Sequence, residues 1–201
     1  MRLISENLTK NYPSRVVFEN ISFQLNDNQK LVITGANGSG KTTLINVICS
    51  LVPKSSGKVI FEYEDRQYSG SEILQYIGIV SPDLYLYDEL TANENLSFFA
   101  RVAGITKDNF DSELESLGLK GRGDDLVRSY SSGMKQRLKY ALALCKNPPL
   151  LFLDEPLANL DEVGKVIIDK IITQRQWGIT IIATNELDEL KYADQKIELG
   201  K

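Results

Sequence analysis

Gly35-Ala36-Asn37-Gly38-Ser39-Gly40-Lys41-Thr42 sits between an apolar run, Leu31-Val32-Ile33, and Thr43-Leu44-Ile45-Asn46-Val47-Ile48, which has the character of a helix start. Strand, glycine-rich loop, Lys-Thr and helix in that order is the context in which G-x-x-x-x-G-K-[ST] cradles phosphate. Each part has a physical job. Gly35, Gly38 and Gly40 let the backbone curl, so that N–H groups of the loop and of the first helical residues, Ala36, Asn37, Ser39 and Thr43 among them, point inward at phosphate oxygens. The new helix adds the positive end of its dipole. Lys41 is expected to reach the β- and γ-phosphates, and the Thr42 hydroxyl to ligate Mg²⁺. The competing reading is a glycine turn with a solvated lysine. Pattern and context match together, which disfavours it.

On the N-terminal side, residues 2–10 and 16–25 alternate apolar and polar, with Tyr12-Pro13-Ser14 as turn chemistry between them. This predicts an antiparallel β flank. Tyr12 reads either as a turn aromatic or as a ring that stacks on a base, and spacing alone does not choose. On the C-terminal side, a helix is expected from Lys41 to about Leu51, then short strands at Lys58–Phe61 and Ile77–Val80. Residues 84–145 change to helical periods broken by Gly104, Gly118, Gly121 and Gly123, which reads as an inserted helical subdomain. A helix opening at Gly133 and running through Leu144 is stopped by Pro148-Pro149. Then come a strand at Leu150–Leu153, a helix over Val163–Thr173, a strand at Ile179–Ala183 and a short acidic helix. Alternating strands and helices imply an α/β chain with a mostly parallel sheet covered by helices. Residues 1–83 and 146–201 would form its core and flank.

The chain has 201 residues, enough for one sizeable core with a subdomain. A net charge of −4 argues against gripping nucleic acid. No apolar run approaches the roughly 18–20 residues of a membrane span, and Met1–Glu6 shows no apolar leader, so a cytoplasmic protein is expected. Cys49 and Cys145 read as core thiols. There is no histidine, which removes the usual general base. Hydrolytic chemistry would have to rely on carboxylates and a bound cation.

Leu150-Leu151-Phe152-Leu153-Asp154-Glu155 puts two carboxylates at the C-terminal end of a buried strand, where open α/β sheets bind ligands. Asp154 would hold Mg²⁺ and Glu155 would polarise an attacking water. A solvated turn with a helix cap is the plainer alternative.

With these pieces in place the chain resembles the ATP-binding cassette (ABC) ATPases, a branch of the P-loop NTPases, over about residues 2–200. The most specific piece is Tyr130-Ser131-Ser132-Gly133-Met134, which looks like the family's LSGGQ signature loop with Ser132 in place of its first glycine. The resemblance implies that two cassettes, most simply a homodimer, face head to tail around two ATP molecules. Ser131, Ser132, Gly133 and Met134 of one would then meet the phosphate held by Lys41 of the other. It also implies that Tyr12 stacks on adenine and that Ala158-Asn159-Leu160-Asp161 crosses between subunits. Two positions depart from the family. Ser81-Pro82-Asp83 stands where a glutamine is expected, and Thr184-Asn185 where Thr-His is expected. Asn185 can donate an amide hydrogen bond but cannot carry a proton, so slow hydrolysis is expected. Residues 84–145 would dock a membrane-spanning transporter subunit, through a groove lined by some of Tyr85, Leu86, Tyr87, Leu90, Leu96, Phe98 and Phe99. This would place the cassette on the inner face of the cell membrane. A non-transport cassette and an ATP-gated clamp with little hydrolysis are the other readings.

Overall fold

The computed structural model describes residues 1–107 and 109–200. Asp108 and Lys201, at which two of the expected ranges pass or end, lie outside the described residues. The chain divides into two compact units, one of Met1–Ile79, Pro149–Glu155 and the chain from Arg175 onward, the other of Val80–Pro148 and Pro156–Gln174.

The first unit holds both sheets. Strands β1 (Arg2–Tyr12) and β2 (Arg15–Asn26) form the antiparallel hairpin that the alternation predicts, and β4 (Ser56–Tyr63) and β5 (Arg66–Tyr68) extend it in the order β2-β1-β4-β5. The ladder shifts register near Asn7 and Asn20, both in the left-handed region, as bulged strands require. The second sheet has the order β6-β7-β8-β3-β9, from Ile77–Val80, Leu150–Asp154, Ile179–Thr184, Lys30–Thr34 and Gln195–Glu198. Strands β7, β8, β3 and β9 pair in parallel. Every residue of β7 and β8 is buried, which explains their continuous apolar runs. One apolar cluster joins the two sheets through helix α1 (Lys41–Ile48), with Leu3, Leu25, Phe61, Leu31, Leu44 and Phe152 among its members. Helix α1 ends earlier than expected. Cys49 caps it, and Ser50 turns left-handed at φ 59°. The acidic stretch Leu187–Tyr192 is a 3₁₀ turn rather than an α-helix.

The second unit is helical: α2 (Ala92–Val102), α3 (Asp111–Ser116), α4 (Ser132–Leu144) and α5 (Glu162–Gln174). Helix α4 packs against α2, α3 and α5. This unit takes in α5, which the 84–145 expectation leaves with the core. Helix α2 starts on a capping box, with Thr91 Oγ1 accepting the Glu94 N–H and the Glu94 carboxylate accepting the Thr91 N–H. Asn95, fully buried, bonds the backbone of Tyr87 and Thr91 and fixes the segment that leads into the helix. Cys49 is buried, but Cys145 is only half-buried. Among the described residues no helix is long and apolar enough to cross a membrane.

Candidate functional site

The loop between β3 and α1 has the backbone its glycines predict. Gly35, Gly38 and Gly40 have φ of 148°, 81° and 104°. A Cβ on Gly40 would stand 2.5 Å from Cγ1 of Val17, so β2 backs the loop closely, and only glycine fits there. The Ser39 N–H closes a turn onto the Ala36 carbonyl at 3.1 Å. The hydroxyl of Ser39 is buried inside this curl without a hydrogen-bond partner among the described residues. Helix α1 then starts with Lys41. No side chain caps it and no acidic residue lies in its first turn, so its N-terminal dipole is not offset by a local carboxylate.

The Lys41 side chain is buried. Its Nζ donates to the carbonyls of Gly35 at 2.9 Å and Ala36 at 3.4 Å, and lies 3.8 Å from Glu155 Oε1. The ammonium is thus folded into its own loop, with one carboxylate nearby. The next residue, Thr42, donates its hydroxyl to Asp154 Oδ2 at 2.6 Å. Asp154, at the end of β7, is 2% exposed. Thr43 is half-buried. A hydroxyl and a buried carboxylate in direct contact are an all-oxygen pair suited to a hard cation that keeps most of its other ligands from water and phosphate. Among the described residues no group of three or more acidic or thiol side chains gathers to cage a metal. The pair fits Mg²⁺ held jointly with a bound phosphate better than a closed protein cage.

Glu155 leaves β7 in the left-handed region, at φ 52°, unusual for glutamate, with its N–H on the Ala183 carbonyl at 2.8 Å. This turn aims its side chain at Lys41. Burial pushes the Glu155 carboxyl above its ordinary range. The Lys41 ammonium and the Asn185 backbone N–H pull against that shift, while the Asp154 and Glu186 charges add to it. The result is a carboxylate of raised basicity beside Lys41. Asn185 lies at the end of β8 and donates from Nδ2 to Asn37 Oδ1 at 3.4 Å. Lys41, Thr42, Asp154, Glu155, Asn185 and Asn37 therefore converge in the first unit.

Tyr12 closes β1 in the same unit and is 44% exposed. Sequence reasoning missed its neighbour. The Lys10 ammonium sits 4.5 Å from the Tyr12 ring centroid. The period of two along a strand, which places residues 10 and 12 on one face, was the available signal.

The serine-glycine loop belongs to the second unit. Ser131 caps α4, its hydroxyl accepting the Met134 N–H at 3.2 Å and leaving its proton free to donate. Ser132 is the first helical residue and is exposed, so the helix opens one residue before Gly133, the expected start. Gly133 is buried against Asp161, whose backbone nitrogen would stand 3.2 Å from any Cβ placed there. Asp161 Oδ1 accepts the Gly164 N–H at 2.8 Å. Its Oδ2 meets Arg137 Nη2 at 3.4 Å, and Arg137 Nη1 donates to the carbonyls of Leu117 and Gly118. This anchor was also missed, because its partners are carbonyls that have no sequence signature. A third missed residue is Lys139. Its Nζ donates to the Ser81 and Pro82 carbonyls, at 3.3 and 3.1 Å, in the turn where a glutamine was expected. The Ser81 hydroxyl is already engaged by the Asp83 N–H. Of the seven expected groove residues, Leu96 is buried in the unit's own core. Leu86, Leu90 and Phe99 are half-buried, and Tyr85, Tyr87 and Phe98 are exposed. Tyr87, Phe98 and Phe99 pack with ring centroids 5.2–6.0 Å apart.

Comparison with known proteins identifies the family and the fold. The family model described as ABC transporter matches residues 18–158. The linearmycin resistance ATP-binding protein LnrL of Bacillus subtilis (strain 168) is 33% identical, across 97% of this chain and 65% of that protein. The lantibiotic transport ATP-binding protein SrtF of Streptococcus pyogenes is 33% identical, across 93% of this chain and 81% of that protein. The putative hemin import ATP-binding protein HrtA of Staphylococcus aureus (strain Newman) is 32% identical, across 99% and 97%. The chain spans about two thirds of the length of the first two relatives it matches, at 65% of each. A solved ATP-binding subunit of an ABC transporter superposes with a TM-score of 0.85 over 99% of this chain at 22% identity, a likeness of fold.

Proposed function

The chain belongs to the ABC transporter family, and we propose that it is an ATP-binding, ATP-hydrolysing subunit that powers a separate membrane subunit by dimerising around ATP. The observation that carries this reading is the convergence of Lys41, the Thr42–Asp154 pair and Glu155 at the mouth of the Gly35–Gly40 loop. On this reading the loop N–H groups and the Ser39 hydroxyl receive phosphate oxygens, and Lys41 exchanges its loop carbonyls for the β- and γ-phosphates. Thr42 and Asp154 hold Mg²⁺, which supplies charge neutralisation to the phosphates. Glu155 accepts a proton from the attacking water, and its raised basicity suits that task. Asn185 donates its amide to the γ-phosphate once released from Asn37.

The second half of the site comes from another copy of the chain. Its Ser131 hydroxyl, its Gly133 backbone and the N-terminus of its α4 approach the same phosphate. The exposed rings of Tyr85, Tyr87 and Phe98 serve as contacts for the membrane subunit, which would hold the cassette on the inner face of the membrane. The relatives are ATP-binding proteins of resistance and transport systems by name, which supports a transporter role and leaves the transported substrate to the membrane partner.

The absence of the glutamine and histidine favours slow turnover, since one lost transition-state donor typically costs about 10²–10³ in rate. ATP turnover measured against protein concentration tests the whole reading. Turnover that rises with concentration, vanishes in Glu155→Gln and quickens in Asn185→His supports it. A rapid basal rate insensitive to Asn185→Ala would remove Asn185 from the mechanism. ATP bridging with no turnover in any variant, alone or with the membrane subunit, would replace hydrolysis with an ATP-gated clamp.

A further inference from the structure

Lys10 is a buried lysine on β1, 7% exposed. A charge is expensive to bury without partners, and this one has two among the described residues. Its Nζ donates to the Pro53 carbonyl at 2.8 Å, in the segment that leaves α1. It also lies 4.5 Å from the centroid of the Tyr12 ring, within cation–π range. Tyr12 stands at the end of the strand, 44% exposed, on the hairpin whose second strand backs Gly40 through Val17. An aromatic at a strand end normally samples several rotamers. Here an anchored ammonium covers one side of the ring and holds it in place.

We propose that Lys10 is a positioning residue that fixes the Tyr12 ring as a stacking platform for a purine base. This rests on the nucleotide reading of the Gly35–Thr42 loop. The cation draws π density toward the covered face, so the opposite face favours an extended, electron-rich ring, and a purine offers more overlap than a pyrimidine. Lys10 itself touches no ligand atom. Its Pro53 bond keeps the ammonium at a fixed height, and with it the orientation of the ring.

The test is equilibrium binding by the full chain of MgATP, MgCTP and inorganic tripolyphosphate with Mg²⁺. The last ligand engages the loop but has no base. Lys10→Gln keeps a donor for the Pro53 carbonyl and removes the charge. It should weaken MgATP by about three- to tenfold, leave tripolyphosphate unchanged and narrow the preference for ATP over CTP. Lys10→Arg, which keeps a cation, should retain most of the ATP affinity. In a Tyr12→Ala background, itself weakened for ATP, Lys10→Gln should add no further loss. Equal ATP affinity in Lys10→Gln and wild type overturns the proposal, as do equal losses for ATP and tripolyphosphate, which would make Lys10 a general support of the fold. A wild-type chain that binds neither ligand refutes the nucleotide reading itself, a result distinct from both.

Discussion

Replacing Thr42 by valine keeps the shape of the side chain and removes one hydroxyl. That hydroxyl donates to Asp154 Oδ2 at 2.6 Å, and Asp154 is 2% exposed. A hydrogen bond to an ionised group contributes about 1.5–3 kcal/mol, and removing its donor leaves the carboxylate with one partner fewer in a place water reaches poorly. The added methyl returns at most about 0.8 kcal/mol if it is fully buried, and Thr42 is only half-buried. The expected net loss is about 1–2 kcal/mol, which for a chain of this size lowers the melting temperature by about 2–8 °C. Thermal unfolding followed by circular dichroism, without nucleotide and with EDTA, measures it. Thr42→Ser should melt close to wild type. In an Asp154→Asn background the Thr42→Val penalty should shrink by half or more, because the bond is no longer charge-assisted. The same variant should lose the Mg²⁺-dependent part of its ATP affinity while keeping the metal-free part. A Thr42→Val protein that melts with wild type, or whose penalty is undiminished beside Asp154→Asn, would refute the pairing as the structural basis of the proposed metal position.

Glu155 sets a pH dependence of definite sign. Its folded carboxyl titrates above the ordinary glutamate range, so the stability tied to its protonated form is full below that range and is lost as pH rises through the raised value. Glu155→Gln should therefore raise the melting temperature of the nucleotide-free protein at neutral pH, with the gain disappearing in acid, while turnover in wild type falls as pH drops through the raised value. Melting curves of the two proteins across pH would show a constant offset if this account of Glu155 is wrong. Arg137→Met should cost about 2–4 kcal/mol in urea denaturation, since it leaves the Leu117 and Gly118 carbonyls and Asp161 without their buried donor. Lysine there should recover only part of this because it lacks the planar fork, and a cost under about 1 kcal/mol would mean that water fills the gap. Finally, Glu64 and Asp65 form a two-residue hairpin turn with φ of 50° and 59°, a conformation that suits Asn-Gly. Changing both should raise stability by about 1 kcal/mol without altering ATP turnover. Unchanged melting would indicate that the turn is unstrained.

What was legible in the sequence is what short-range patterns encode. Gly35–Thr42 announced its loop because the glycine positions, the Lys-Thr pair and the flanking strand and helix all fall within one supersecondary unit. Asp154 and Glu155 were legible because four buried apolar residues precede them. The alternation of residues 2–10 and 16–25 became β1 and β2 as expected. Less legible were the pairs whose partners lie far along the chain or are backbone carbonyls. Nothing in the vicinity of Lys139 points to the Ser81 and Pro82 carbonyls, and nothing near Arg137 points to Leu117 and Gly118. Helix α5 reads as a core helix by its place after β7, yet it packs on α4, because Gly164 admits Asp161 and Arg137 at close range.

Sequence by itself determined the α/β class, the glycine-rich loop, the carboxylate pair and the family, because each is written in residues a few positions apart and dictated by backbone sterics and burial. Only the tertiary structure decided that Lys41 and Thr42 meet Glu155 and Asp154 across more than a hundred residues of chain. It alone decided that Asn185 reaches Asn37, and that a buried ammonium lies over the Tyr12 ring. Those contacts depend on the order of strands in a sheet and on the turns between them. A hydrogen bond or a cation–π contact reaches only a few ångströms, and which groups come within that reach is set by the fold rather than by their spacing in the chain.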